Sequence, residues 1–143
     1  MILNSQILRR VSAADRAKMG KAGQLPEETL AKSVAKSEKE LQSQIASYLR
    51  LKGIEPLWHR TDKKSAATIG WPDITFCFNG VNPVDNLPQS YACAFECKMP
   101  GKFLSKEQTK MAIRMLTKPN GWWHSTITHL DQVIEFLRER GIE

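Results

Sequence analysis

The sequence predicts an α/β domain in which helices flank a β-sheet, preceded by a basic helical arm. Three observations carry this. A capped amphipathic segment begins at Ser37, two apolar strand-like segments occupy 74–78 and 91–98, and the remainder alternates helical and extended patterns. A chain of 143 residues can bury a core of this kind without disulfides or a structural metal. Its 41% hydrophobic and 25% charged residues belong to a globular protein rather than a disordered one.

Residues 1–36 form the expected arm and residues 37–143 the domain. The arm is polar, helix-prone and broken by Gly20, Gly23 and Pro26, so it reads as short helices or flexible chain. The formal net charge is +6. Much of that excess lies in the arm, where Arg9, Arg10, Arg16, Lys18, Lys21, Lys32 and Lys36 face only Asp15, Glu27 and Glu28. Such a balance favours a polyanionic partner and says nothing about fold.

The domain opens with Ser37-Glu38-Lys39-Glu40, which fits a capping box with Ser37 as N-cap and Glu40 at the third helical position. Leu41, Ile45, Tyr48 and Leu49 then make an apolar stripe, and Gly53 ends the helix. A short strand is expected at Leu57-Trp58-His59, followed by a loop over 61–69. Ile74 to Phe78 and Tyr91 to Lys98 read as an antiparallel hairpin joined by a long loop from Gly80 to Gln89. Ser105 caps a helix running to Leu116. A turn at Pro119-Asn120-Gly121 leads to a strand from Trp122 to Thr126, and a last helix from Asp131 to Arg140 stops at Gly141.

No apolar run approaches the ~18 residues of a membrane span, so none is expected. Cys77, Cys93 and Cys97 are odd in number and form no CxxC pair, which argues against a disulfide framework and a thiolate zinc site. With no signal-peptide apolar region after Met1, a cytoplasmic location is the expectation.

The chemistry concentrates in Gly70-Trp71-Pro72-Asp73 and Glu96-Cys97-Lys98. Side chains alternate faces along a strand. Matching the bulky faces of the two strands puts Asp73, Glu96 and Lys98 on the same opposite face, at the same end of the hairpin. A one-residue slip would instead drive Asp73 among phenylalanines. On the Ser37 helix, Glu38 is in phase with Leu41 and Ile45, whereas Glu40 points toward Gln44 and serves the cap. Carboxylates gathered at one point repel unless a cation neutralises them, and oxygen donors suit Mg²⁺ or Mn²⁺. The competing reading is a surface hairpin with a Glu–Lys pair and a turn aspartate.

These residues resemble the PD-(D/E)xK nuclease superfamily and, within it, the VRR-NUC family. The resemblance spans Glu38 to Leu137. It rests on Glu38 with Leu41-Gln42, on Trp58-His59-Arg60, on the Gly-x-Pro-Asp and Glu-x-Lys motifs, and on Ser105-Lys106-Glu107-Gln108. It implies a restriction-endonuclease-like core with a mixed sheet, metal held by Asp73, Glu96 and the Cys97 backbone carbonyl, and Glu38 acting directly or through water. It also implies a catalytic Lys98 and a supporting Gln108. Gln108 has a second reading, since Ser105 and Gln108 also make a capping box. The Gly80–Gln89 loop is longer than the connection common in the family, and the arm has no counterpart there.

Lys102, Lys106, Lys110 and Arg114 recur every four residues and form a basic stripe suited to a phosphate backbone. Lys63, Lys64 and Trp71 are the other candidate nucleic-acid contacts. Trp58, Trp122 and Trp123 are expected in the core or its rim, and His59, His124 and His129 are not spaced as ligands. The expected activity is Mg²⁺- or Mn²⁺-dependent hydrolysis of DNA, by a structure-selective endonuclease acting on branched or flapped substrates. A homodimer is expected because a one-site chain needs a second protomer to cut both strands or a branched junction, and a phage or prophage setting is expected by analogy. The alternatives are a non-cleaving nucleic-acid-binding protein on a nuclease-like fold, and a metal-dependent hydrolase of small phosphoesters.

Overall fold

The computed structural model describes residues 9–10, 12–19, 34–57, 69–117 and 121–143. The chain divides into two units, Met1–Val34 and Ala35–Glu143, two residues earlier than the expected boundary. In the first unit, helix α1 (Ala13–Lys18) is capped by Ser12, whose hydroxyl accepts from the Asp15 amide at 3.1 Å. None of its residues is buried.

The second unit is a small α/β domain. Among the described residues it holds α2 (Glu38–Leu51), β1 (Ile74–Val81), β2 (Pro88–Cys97), α3 (Lys106–Leu116), β3 (Trp123–Ile127) and α4 (Leu130–Glu139). The sheet order is β1-β2-β3. β1 and β2 pair antiparallel with Ile74 opposite Phe95, and β2 and β3 pair parallel with Phe95 opposite Ser125. The sheet is therefore mixed, with α3 as the crossover between its parallel strands. Leu57 makes one isolated bridge to Thr75 on the outer side of β1. The rest of the expected strand, Trp58 and His59, lies outside the described residues.

Alternation divides the sheet cleanly. One face carries Ile74, Phe76, Phe95, Cys93 and Cys97, all essentially inaccessible to solvent. Phe136 of α4 packs edge-on against Phe95 with ring centroids 5.4 Å apart. α2 adds Leu41, Ile45 and Leu49 to the buried set, as its helical phase predicts. Each fully buried Phe or Leu contributes about 2–3 kcal/mol. The other face has small and polar residues, and there α3 sets Met111 and Met115 over Ala94. Cys77, on this face, is exposed.

The hairpin is longer than its composition indicates. Its ladder runs to Val81 opposite Pro88, so the connection is 82–87 instead of Gly80–Gln89. Cross-strand side chains hold this extension: Ser90 Oγ donates to Asn79 Oδ1 at 2.7 Å, and Tyr91 Oη to the Val81 carbonyl at 2.8 Å. Pro88 is tolerated because it begins its strand. At ~3.3 Å per residue, the connection lies about 30 Å along the ladder from Asp73.

At that same end of the sheet, Arg140 is buried among aromatic rings. Its guanidinium carbon lies 3.8 Å from the Phe136 centroid, 4.9 Å from Trp123 and 5.3 Å from Tyr91. Its carbonyl accepts from the Val81 amide at 2.9 Å, tying the residue after α4 to the end of β1.

Candidate active site

The site forms at the opposite end of the hairpin, where β1 begins and β2 ends. Ile74 faces Phe95, so Asp73 stands beside Glu96. The Asp73 carboxylate does not simply project outward. Its Oδ2 accepts from the Cys97 amide at 2.8 Å, which fixes the side chain across the strand end.

Glu96 is 2% exposed. Its Oε1 accepts from Gln108 Nε2 at 2.8 Å, while Oε2 is buried with no donor. Asp73 stands close enough to share a proton with it. Two acceptors with no donor between them form a bond only if a proton or a cation intervenes. Burial accordingly pushes the Glu96 carboxyl up to about 8, reinforced by the Asp73 carboxylate and by the charge of Glu38, with Lys98 opposing. Burial likewise raises the Cys97 thiol, and the charges of Asp73, Glu96 and Glu38 raise it further. Asp73, Glu96, Lys98 and Glu38 thus share one electrostatic neighbourhood.

Helix α2 separates its two early glutamates as the phase argument requires. Glu38 is half-buried, and its charge reaches Glu96. Glu40 is exposed, and its Oε2 accepts from the Lys36 amide at 2.7 Å. Ser37 Oγ accepts from the Glu40 amide at 3.1 Å. The reciprocal bond thus reaches one residue before the N-cap rather than the N-cap itself.

Gln108 fills both roles that its sequence allows. Its Oε1 accepts from the Ser105 amide at 2.8 Å, completing the α3 capping box, and its Nε2 donates to Glu96. One amide therefore links the start of α3 to the buried acid. Gln108→Glu keeps an acceptor for Ser105 but removes the donor and adds a carboxylate beside Glu96. We expect this variant to lose about 1–3 kcal/mol at alkaline pH and much less in acid, where Glu96 is protonated. Urea unfolding at both pH values checks this, and equal stability to the parent throughout would refute the bridging role.

Gly70 holds a second link whose importance the sequence does not display. Its φ is +79°, and a Cβ there would collide with the Glu107 carbonyl. The turn that delivers Asp73 and the helix that delivers Gln108 therefore meet backbone to backbone. The only advance signal was a glycine ahead of Pro-Asp. Trp71 is half-buried and packs edge-on to Trp122, centroids 6.4 Å apart, against the Ala94, Met111 and Met115 cluster. It thereby has a packing role at a position expected to face substrate.

Lys102, Lys106, Lys110 and Arg114 are all exposed, the last three along α3. Lys63 and Lys64 lie outside the described residues. His124 is half-buried, which lowers its pKa, and His129 is exposed at the α4 N-cap.

The donors fit a hard divalent cation. Among the described residues, no three His, Cys, Asp or Glu side chains come together to cage an ion unaided. Mg²⁺ commonly takes only one or two carboxylates and keeps waters, and the buried, donorless Glu96 Oε2 beside Asp73 is the position such an ion would satisfy. Among the described residues, no helix is long and apolar enough to cross a membrane. No family model matches the chain, and neither a curated protein nor a solved structure matches it.

Proposed function

We propose that the protein is a metal-dependent nuclease that hydrolyses phosphodiester bonds in DNA, on a restriction-endonuclease-like core of the VRR-NUC kind. The observation that carries this reading is the acid pair: a buried Glu96 oxygen without a donor, set beside Asp73 at the end of a hairpin. Asp73, Glu96 and the Cys97 carbonyl would hold Mg²⁺ or Mn²⁺, with Glu38 reaching it directly or through water. Such an ion polarises a phosphoryl oxygen and makes a water more acidic.

The chain's own groups supply the rest. Gln108 holds one Glu96 oxygen in place, and the Cys97 amide holds Asp73, so neither carboxylate must reorganise when substrate arrives. Lys98, whose charge reaches Glu96, would offset negative charge developing at phosphorus. The exposed cations of α3 track the phosphate backbone beside it. A second protomer would let a one-site chain cut both strands, with twofold symmetry the default.

The test is to incubate labelled single-stranded, duplex, flap and four-way-junction DNA with the protein in Mg²⁺, Mn²⁺ or EDTA. Asp73→Ala and Lys98→Ala are run alongside. Metal-dependent cleavage is expected, reduced at least about 10²-fold by either substitution. No cutting of any substrate would overturn the nuclease reading and leave a non-cleaving binder. Cutting that survives Asp73→Ala would overturn the site.

A further inference from the structure

Phe103 is 89% exposed, although it lies on the short connection between the two elements that carry the site. A phenylalanine left in water forgoes about 2–3 kcal/mol of burial. Its backbone is held firmly on both sides. On one side the Lys102 amide donates to the Met99 carbonyl at 3.1 Å, closing a turn over Pro100 and Gly101, where Gly101 supplies a φ of +85°. On the other, the Ser105–Gln108 capping box begins α3 two residues later, and Gln108 is bonded to Glu96. The ring therefore stands between a closed turn and the capped start of the helix whose Gln108 reaches Glu96.

The surroundings select an occupant. From Lys102 to Arg114 the chain carries four cations and a single acid, Glu107, and Lys102 and Lys106 on either side of Phe103 are exposed. An aromatic face between cations matches a nucleotide, with base on ring and phosphates on ammonium groups. Ile113 and Leu116 of α3 are exposed as well, but a ring flanked by exposed lysines does not match the core of a protein interface, which is depleted of charge.

We infer that Phe103 is a stacking platform for an unpaired base of the DNA strand that enters the site. This rests on the nuclease reading and narrows it to substrates with single-stranded character next to the cleaved bond. In the interior of an intact duplex both faces of each base are already stacked, so the ring gains nothing there. Phe103 positions the strand and takes no part in the chemistry.

The experiment measures binding, with Ca²⁺ in place of Mg²⁺, to a labelled blunt duplex and to the same duplex bearing a single-stranded thymidine tail. Phe103→Ala is expected to weaken binding of the tailed duplex about tenfold and leave the blunt duplex unchanged. Phe103→Trp should retain tailed-duplex affinity, and Phe103→Leu should not. Equal losses on both DNAs, no loss on either, full rescue by Leu, or failure of the parent to bind the tailed duplex would each overturn the proposal. The ring is exposed, so these variants leave the core intact. The cleavage assay separates the two readings: Phe103-dependent binding without cleavage overturns the nuclease alone, and cleavage indifferent to Phe103→Ala overturns the platform alone.

Discussion

Glu96→Gln should make the protein more stable at alkaline pH while abolishing the proposed metal-dependent cleavage. Burial and the Asp73 carboxylate lift the Glu96 carboxyl from 4.5 to about 8. Between those values the folded protein keeps a proton that the unfolded chain has released. Stability of the metal-free parent therefore falls as pH rises through that window, by at most about 1.4 kcal/mol per unit. Glutamine has no such slope. It can accept from Gln108 with its oxygen and donate to Asp73 with its nitrogen, which converts the acceptor–acceptor contact into a hydrogen bond. Near pH 5 the two proteins should melt together, and above pH 8 the variant should be the more stable by a few kcal/mol. Saturating Mg²⁺ should raise the parent's melting temperature at alkaline pH and leave the variant's almost unchanged. Cleavage should fall about 10³-fold. Parallel melting curves for parent and variant across this pH range would show that Glu96 is not the group that resists ionisation.

Gly70→Ala should be among the most destabilising single-methyl additions in the domain, and Gly53→Ala is its control. The two glycines have nearly the same backbone, with φ of +79° and +75°. An added Cβ at Gly53 meets nothing within 4 Å, so alanine there pays only the left-handed penalty of about 1 kcal/mol. At Gly70 the methyl meets the Glu107 carbonyl and the Gln108 amide, which are helix backbone and cannot swing aside. Together the two effects amount to about 2–4 kcal/mol, or a fall of about 10 °C or more in melting temperature. Because α3 must shift, the Gln108–Glu96 bond should loosen too, and activity should drop further than the unfolded fraction explains. Equal effects of the two substitutions in calorimetry would dismiss the close approach at Gly70.

Much of this site was legible because it obeys two periods. Strand alternation put Asp73 beside Glu96, and helical phase separated the inward Glu38 from the capping Glu40. Gln108 was ambiguous in sequence because both readings use the same residue, and its amide has an atom for each. The end of the hairpin was misjudged because Gly80 and Pro88 have turn chemistry like Asn82 and Pro83 between them, yet cross-strand bonds such as Ser90 to Asn79 carry the ladder on through Gly80 and Pro88. Arg140 reads as an ordinary basic residue at a helix end, since Tyr91, Trp123 and Phe136 that enclose it come from three separate elements. Phe103 gave no local warning, because whether an aromatic ring is covered depends on what folds over it.

The connection at 82–87 has a consequence for tracing descent. The strands are paired from the Asp73–Glu96 end outward, so residues added or lost at the far tip change the distance in sequence between the two acids without changing their distance in space. Lineages of this architecture could drift in the length of that interval without limit from chemistry. Relatives are better sought by a glycine with Pro-Asp at a strand's beginning and Glu-x-Lys at its partner's end than by any fixed count between them.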